Sequence, residues 1–199
     1  MSKLVPIVAG VTGTTIIGVG GGYLLSTQNT KSFKIEFKHA ILDFTKDTAL
    51  ITEKLTKLKS SNSVPKHSKL ISAKNKEVKG TNQGLNDFKE GCKEIYNSAF
   101  DKKDSDLFRD FQSYCSKNIK DVITTENWFA SGADWSARFN KLKVENTKPS
   151  SVSLTTIANG AGNDGNKLKE WCENIANSIY EGEDNLEFKD AKASCGKDN

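Results

Sequence analysis

The sequence is poor in the side chains that most often carry proton transfer and nucleic-acid recognition. It has only two histidines, His39 and His67, and only two arginines, Arg109 and Arg138, among 29 basic residues. Histidine is the commonest general acid or base, and arginine is the side chain that best fits phosphates and base edges. HExxH, GxSxG and P-loop motifs are also missing. We therefore predict that the protein is not an enzyme, uses no cofactor and has no nucleic-acid partner.

Metal and dinucleotide sites have little support as well. The cysteines form no C-x-x-C pair and both histidines lie in the first half of the chain, so four zinc ligands are not brought together. Residues 160–165 fit the GxGxxG pattern of dinucleotide sites and follow a strand-like stretch, residues 152–158. Only 34 residues follow Gly165, too few for the βαβ units that a dinucleotide needs. A flexible loop is the better interpretation.

The strongest positive signal is an internal repeat that contains all four cysteines. Residues 89–119 and 169–199 align without a gap and share 11 identities, where composition alone would give roughly two. With four residues omitted from the second copy, the alignment extends upstream, so that Pro65 matches Pro149 and Phe44 matches Trp128. We therefore predict an N-terminal segment, residues 1–30, and two repeat units, residues 31–123 and 124–199.

The N-terminal segment contains an uncharged stretch, residues 4–25. At about 1.5 Å per residue, a helix of this length matches the hydrocarbon core of a bilayer, although its glycines and threonines lower its hydrophobicity. We predict an uncleaved single-pass anchor in contact with membrane lipid, because no small-x-small cleavage site follows Leu25. A cleaved secretory signal and a soluble glycine-rich tail are the alternatives.

Both repeat units have the apolar periodicity of helices. From Phe37 to Leu58 the apolar positions alternate in steps of four and three, which predicts one long helix with a narrow seam. That seam either forms a homo-oligomeric stalk or packs on its own unit. The second interpretation is favoured, because the second copy has bulky aromatic residues at this spacing. Ser60–Gly84, with Pro65 and five lysines, is interpreted as a polar connection with room for a helical turn around Leu70.

The rest of each unit predicts an antiparallel helical hairpin. Residues 85–99 and 108–122 each place apolar side chains on one helical face, and the polar break between them offers Asp104 or Ser105 as an N-cap. In the second copy the break is residues 181–185, and Asp184 is the expected start of the next helix.

The cysteines of each copy are equidistant from its polar break, so their side chains meet across an antiparallel hairpin. We predict two disulfides, Cys92 with Cys115 and Cys172 with Cys195. Each closes a loop whose crosslink stabilises the fold by roughly 3 kcal/mol. Buried free thiols are the alternative.

Charge is divided unevenly along the chain. From Thr124 onward there are 9 Lys and Arg against 12 Asp and Glu, whereas the preceding part has 20 against 13. A basic membrane-proximal half is attracted to anionic headgroups, which leaves the acidic distal unit to meet partners. Lysines 31, 34 and 38 favour a cytoplasmic orientation by the positive-inside rule, whereas paired cysteines favour an extracellular one. We predict a cell-membrane protein with the bulk of its chain outside.

Two motifs carry a resemblance to a known family. The opening Met1-Ser2-Lys3-Leu4-Val5-Pro6 with its glycine-rich span, and Leu168-Lys169-Glu170-Trp171-Cys172 with a cysteine 23 residues further on, resemble the paralogous families of short, anchored, uncharacterised proteins of haemotropic mycoplasmas. The resemblance implies a wall-less cell, a surface location and antigenic diversification. It implies no catalytic residue.

The combined prediction is an all-α protein with an N-terminal transmembrane helix and two tandem units, each a long helix plus a Cys-paired helical hairpin. Its predicted role is binding, adhesion or antigenicity at the cell surface, with a host-cell or extracellular protein as partner. The candidate contact residues are whichever of Trp128, Trp135 and Trp171 are exposed, and burial of all three without an exposed apolar patch would remove the support for this role. The alternative is a cytoplasmic-facing scaffold that self-associates through Phe37–Leu58.

Overall fold

The computed structural model describes residues 31–123, 128–129, 134–160 and 164–197. Their regular structure comprises α1 (Phe33–Glu36), α2 (Thr48–Lys59), α3 (Ser68–Lys79), α4 (Leu85–Asn97), α5 (Asp106–Asp110) continued by a π-helix (Phe111–Cys115), α6 (Ile119–Ile123), α7 (Trp135–Lys141), a 3-10 turn (Glu145–Thr147), α8 (Val152–Ala158), α9 (Gly165–Ile175) and α10 (Leu186–Ser194). Within these ranges β structure is limited to isolated bridges. The predicted all-α fold is confirmed for this part of the chain.

The predicted anchor, residues 4–25, lies outside the described residues. Among the helices that the structure does describe, none is both long enough and apolar enough to cross a membrane.

The helices enclose two apolar cores. The first is rich in phenylalanine and contains Phe33, Phe37, Phe88, Phe108 and Phe111. The ring centroids of Phe33 and Phe37 lie 5.0 and 5.2 Å from that of Phe111. The second core is built by α6 to α10, and its largest buried side chains include Ile119, Phe139, Leu154, Leu168 and Phe188. Each core seats one of the two cysteine pairs.

In each unit, the first segment makes the same two backbone hydrogen bonds. Their partners are residues just after the helix that carries the first cysteine of the unit, α4 or α9. In the first unit these are Phe33 N to Ser98 O (3.1 Å) and Phe100 N to Lys31 O (2.8 Å), and in the second Ile119 N to Ser178 O (2.9 Å) and Tyr180 N to Lys117 O (3.0 Å). Helix α6 is thus the counterpart of α1 and packs in the second core, although the sequence alignment assigned residues 31–123 to the first unit. From here on, residues 31–116 are called the first unit and residues 117–197 the second unit.

Both predicted disulfides are present. Cys92 bonds to Cys115 with their Cα atoms 5.3 Å apart, and Cys172 bonds to Cys195 with a separation of 5.6 Å. All four cysteines are buried. Each bond joins the cysteine-bearing helix of its unit to the end of the last helix in that unit, so the predicted pairing across a helical hairpin is confirmed.

A repeated aspartate fixes the start of the middle helix in each unit. The Asp110 carboxylate accepts hydrogen bonds from the backbone N–H groups of Lys66 (2.8 Å) and His67 (2.6 Å), immediately before α3. Asp190 accepts equivalent bonds from Ser150 (3.0 Å) and Ser151 (2.7 Å), before α8. Both aspartates are buried, and burial raises the pKa of Asp110 despite the two hydrogen bonds.

The long helix predicted from Phe37 to Leu58 is wrong, because the chain turns between α1 and α2. The Asp43 carboxylate accepts the N–H of Thr45 (2.9 Å), and the Asp47 carboxylate accepts the N–H of Asp43 (2.8 Å). These bonds occupy backbone groups that a continuous helix would need. The apolar positions of the stretch, including Ile51, Leu55 and Leu58, face their own core, so the interpretation as an intramolecular seam is confirmed.

Two other segments are more helical than the sequence indicated. The predicted connection Ser60–Gly84 contains α3. This helix buries Leu70, Ala73 and Glu77, and the lysines between these residues make the segment polar in sequence. The Glu77 carboxylate ends this helix by accepting the N–H groups of Asn82 (2.8 Å) and Gly84 (3.1 Å). The stretch 152–158, predicted as strand-like, is helix α8.

The two predicted hairpin turns differ in their accuracy. Ser105 caps α5 by accepting the N–H of Phe108 (3.1 Å), as one of the two predicted alternatives. Asn185, not Asp184, caps α10 by accepting the N–H of Phe188 (2.9 Å), because the Asp184 side chain points outward and pairs with Lys189.

Candidate functional site

A cavity of about 440 Å³ opens in the second unit between α7, the 3-10 turn, the segment before α8 and α10. Its lining includes four basic side chains, Arg138, Lys141, Lys148 and Lys189, and one acidic side chain, Asp190. The chain has 9 Lys and Arg after Thr124, so nearly half of them line this one cavity. We refer to it as the basic groove.

The position of Arg138 follows from the pattern of α7. Asp134 caps this helix through the N–H of Ala137 (2.9 Å), and burial of Phe139 turns the preceding Arg138 toward α10. The Arg138 side chain is buried, and its Nη1 donates to the Ser194 carbonyl (2.9 Å). Its guanidinium carbon lies 3.4 Å from the centroid of the Phe129 ring, in a cation–π contact. Arg138 is therefore a fixed positive charge behind the groove.

The rim of the basic groove is formed by exposed lysines. The Lys148 ammonium group pairs with Glu145 (2.5 Å), and the Lys189 ammonium group pairs with Asp184 (3.2 Å). About half of each lysine side chain is open to solvent, and such surface pairs contribute little stability. Both ammonium groups therefore exchange partners readily.

The single acidic residue of the lining has another role. Asp190 directs its carboxylate at the backbone N–H groups of Ser150 and Ser151, which hold the start of α8. Its negative charge is stabilised by these donors rather than by the lysines of the rim. Among the residues that line the groove, basic side chains therefore outnumber acidic ones by four to one.

The first unit has a tyrosine, Tyr114, at the position where the second unit has Ser194, a small residue that lines the groove. Tyr114 directly precedes Cys115, as Ser194 directly precedes Cys195. The buried Tyr114 ring extends its hydroxyl to the Ser63 hydroxyl (3.0 Å), and Ser63 matches Thr147 of the groove lining in the repeat alignment. In the first unit the tyrosine thus occupies the space that Ser194 leaves open in the second.

The first unit also uses the counterpart of Arg138 differently. Lys54, at the matching position of α2, is buried and pairs with Asp121 (2.6 Å) and with the Asn118 side-chain oxygen (2.5 Å), both from the second unit. Burial lowers the pKa of Lys54, and the neighbouring Asp121 charge opposes this shift. The same repeat position therefore crosslinks the units in one copy and borders the groove in the other.

No family model, curated protein or solved structure matches this chain. The site is accordingly defined by geometry, and the repeat supplies the only internal comparison.

The three tryptophans proposed as contact residues differ in accessibility. Trp128 and Trp171 do not meet the condition of exposure, because both are buried in the second core. The Trp171 indole N–H donates to the Ser153 hydroxyl (3.1 Å). Trp135 is half-buried, and its ring meets that of Phe129 edge-on at 5.1 Å. Trp128 and Phe139 keep the helical spacing that favoured packing within their own unit, and both are buried there.

Other chemistry considered from the sequence has no described site. Among the residues with described positions, no group of three His, Cys, Asp or Glu side chains is placed to hold a metal ion. The glycine-rich stretch 160–165 falls partly outside the described residues, but it follows helix α8, so the strand required by a dinucleotide motif does not precede it.

The basic groove was missed by sequence reasoning. The alignment contained its signal, namely a tyrosine before the second cysteine in one copy and a serine in the other. That substitution acquires meaning only when the neighbouring helices show which volume the side chain fills.

Proposed function

We propose that this chain is a membrane-anchored, surface-exposed binding module whose second unit presents the basic groove to a ligand. Residues 4–25 would anchor it, and the two disulfide-bonded units would stand outside the cell. The observation that carries the proposal is the pair of buried disulfides at equivalent positions of both units. Stable disulfides form and persist in oxidising environments, as found outside the cytoplasm.

The packing of the units is consistent with a rigid binding body. The Gln112 side chain of the first unit donates to the Asn177 carbonyl of the second (3.0 Å), and Ile179 of the second unit packs in the first core. Together with the Lys54 ion pair, these contacts hold the two units against one another. A site on the second unit is thereby fixed relative to the first unit.

The scaffold alternative has less support. Its proposed self-association surface, Phe37–Leu58, contributes its main apolar side chains to the core of the same unit. A scaffold facing the cytoplasm would also require reduced cysteines in the cell.

Orientation can be measured with a cysteine placed at an exposed site. Val152 exposes 85% of its surface, whereas the native cysteines are buried. In cells expressing the full chain, we expect Val152→Cys to react with a membrane-impermeant maleimide without permeabilisation. The unaltered chain is the matched control, and peptide mapping should find Cys92 paired with Cys115 and Cys172 with Cys195.

Labelling of Val152→Cys only after permeabilisation, together with free native thiols, would reject the outward-facing module. That result would favour the cytoplasmic scaffold.

A further inference from the structure

We propose that the basic groove binds a phosphate or sulfate monoester carried on a small polar group of about the size of a sugar. This deepens the proposed function, because it names the class of ligand that the binding module would take.

Basic side chains from several elements converge on the groove. Arg138 and Lys141 come from α7, Lys148 follows the 3-10 turn, and Lys189 comes from α10. Positive groups on three elements approach one cavity from different sides, in a part of the chain whose net charge is negative. A compact anion with several oxygens can meet such groups at once, whereas a single carboxylate has fewer acceptors.

The two lysines at the rim of the groove can exchange their present carboxylate partners for a bound ester. Lys148 and Lys189 now contact the exposed carboxylates of Glu145 and Asp184. A doubly charged ester would attract both ammonium groups more strongly than these solvated carboxylates do, and both lysines lie on flexible stems. Arg138 would contribute through its fixed charge and would keep its bond to Ser194.

The groove also has the size of a small-molecule site. A volume of about 440 Å³ falls in the range of small-molecule sites and exceeds what a bare oxyanion fills. Asn146, Thr147, Ser150 and Ser194 also line the groove, so hydroxyl groups of a carrier would find polar neighbours. The apolar side chains of Leu142, Pro149 and Ala193 line the groove as well, so a sugar ester, which has both hydroxyl groups and C–H faces, fits this mixed lining.

The first unit contains a closed counterpart of the groove. Tyr114 bridges the equivalent space to Ser63, whereas Ser194 leaves it open. The matched position therefore provides a variant, Ser194→Tyr, that would place in the groove a side chain already accommodated by the equivalent part of the first unit.

The test is calorimetric titration of the purified full chain with glucose 6-phosphate, glucose 6-sulfate and glucose. We expect both esters to bind and glucose to bind at least about tenfold more weakly. Ser194→Tyr should weaken ester binding at least about tenfold, while Tyr114→Phe, its counterpart in the first unit, should leave the affinity unchanged. Joint replacement of Lys148 and Lys189 by alanine should weaken ester binding too, whereas Lys192→Ala, on α10 but outside the groove, should not.

Two results would overturn the proposal: no binding of either ester, or equal ester affinity in Ser194→Tyr and the unaltered chain. Circular dichroism and disulfide mapping establish whether Ser194→Tyr is folded. If it is not, the joint alanine variant of Lys148 and Lys189 is the deciding test, and unchanged ester affinity in that variant would overturn the proposal. Vesicles of phosphatidylcholine with and without phosphatidic acid distinguish the source of the ester. Binding only to phosphatidic acid vesicles, reversed by glucose 6-phosphate, would assign a lipid headgroup, and binding of free esters alone would assign a soluble ligand.

Failure of this proposal is separable from failure of the proposed function. Binding to the purified chain does not depend on its orientation in a cell. An outward-facing chain without ester binding would refute the ligand class alone, whereas ester binding by an inward-facing chain would refute the surface location alone.

Discussion

Replacing Lys54 by methionine should weaken the packing of the two units against each other. Methionine keeps most of the apolar stem of lysine but removes the charge that meets Asp121 at 2.6 Å. Only 5% of the Lys54 side chain and 18% of the Asp121 side chain are exposed. The substitution therefore leaves a carboxylate with little access to water and without its nearest cation.

The expected loss in the free energy of unfolding comes from the unpaired Asp121 carboxylate. Removing one partner of a buried ion pair costs about 3–5 kcal/mol, and the partial exposure of Asp121 places this case near the lower end, about 3 kcal/mol. Burial lowers the pKa of Lys54 even with Asp121 beside it, so desolvation opposes the attraction. Adding Asp121→Asn to Lys54→Met removes the unpaired charge and should recover about half of the loss.

The assay is urea unfolding of the full chain, followed by tryptophan fluorescence and far-ultraviolet circular dichroism. All three tryptophans, at positions 128, 135 and 171, lie in the second unit, whereas circular dichroism reports on the helices of both. We expect coincident transitions in the unaltered chain and separated transitions in Lys54→Met, because the units lose their crosslink. Lys57→Met, on the exposed face of the same helix, is the control and should change the free energy of unfolding by less than about 0.5 kcal/mol.

A loss below about 1 kcal/mol in Lys54→Met would refute the reasoning, as would a double variant whose loss equals the sum of the two single losses. Either result would mean that Asp121 finds enough water or other donors when the ammonium group is gone.

Three further predictions concern the crosslinks and turns. Joint replacement of Cys172 and Cys195 by serine should lower the free energy of unfolding by about 3 kcal/mol, from the loop entropy of a disulfide with a sequence separation of 23, and a loss near zero in urea titrations would contradict this. Burial raises the pKa of Asp110 above 3.8, so its contribution to stability is complete below that pH and is lost as the pH rises through the raised pKa. Asp110→Asn should remove this decline, as seen by comparing urea midpoints from about pH 4 to about pH 7, and an unchanged pH profile would show that Asp110 is not its source. Gly182 has φ of 111°, and a Cβ atom added to it would lie 3.2 Å from the His39 ring, so Gly182→Ala should cost about 1–2 kcal/mol, whereas an unchanged melting temperature would argue against strain.

The repeat and the cysteine pairing could be predicted because both depend on short-range pattern. Residues 89–119 and 169–199 keep the same spacing of apolar side chains and cysteines, and a polar break halfway between two cysteines predicts a hairpin that brings them together. The buried aspartates show why some identities recur: Asp110 and Asp190 each hold the backbone at the start of a helix. The bonded residues lie 43 and 39 positions apart in the chain, so the alignment shows that the aspartates recur but does not show which backbone groups they bind.

The errors in the helix boundaries also have physical causes. The apolar spacing around Phe44 fits a helix, but Asp43 and Asp47 bind backbone N–H groups and turn the chain. Helix α3 was missed because its few buried residues are surrounded by lysines, and its stability depends on packing against α2 and α4. In both cases competition between side chains and tertiary packing overrides the local periodicity.

By itself the sequence determined the helical class, the twofold repetition and which cysteines pair, because each of these follows from periodicity and spacing along one segment. Only the tertiary structure decided that α6 belongs to the second unit, that Lys54 joins the units and that Ser194 leaves a groove where Tyr114 fills one. These features depend on residues far apart in the chain that share a volume or a hydrogen bond. Such a neighbour becomes visible only when the helices are packed.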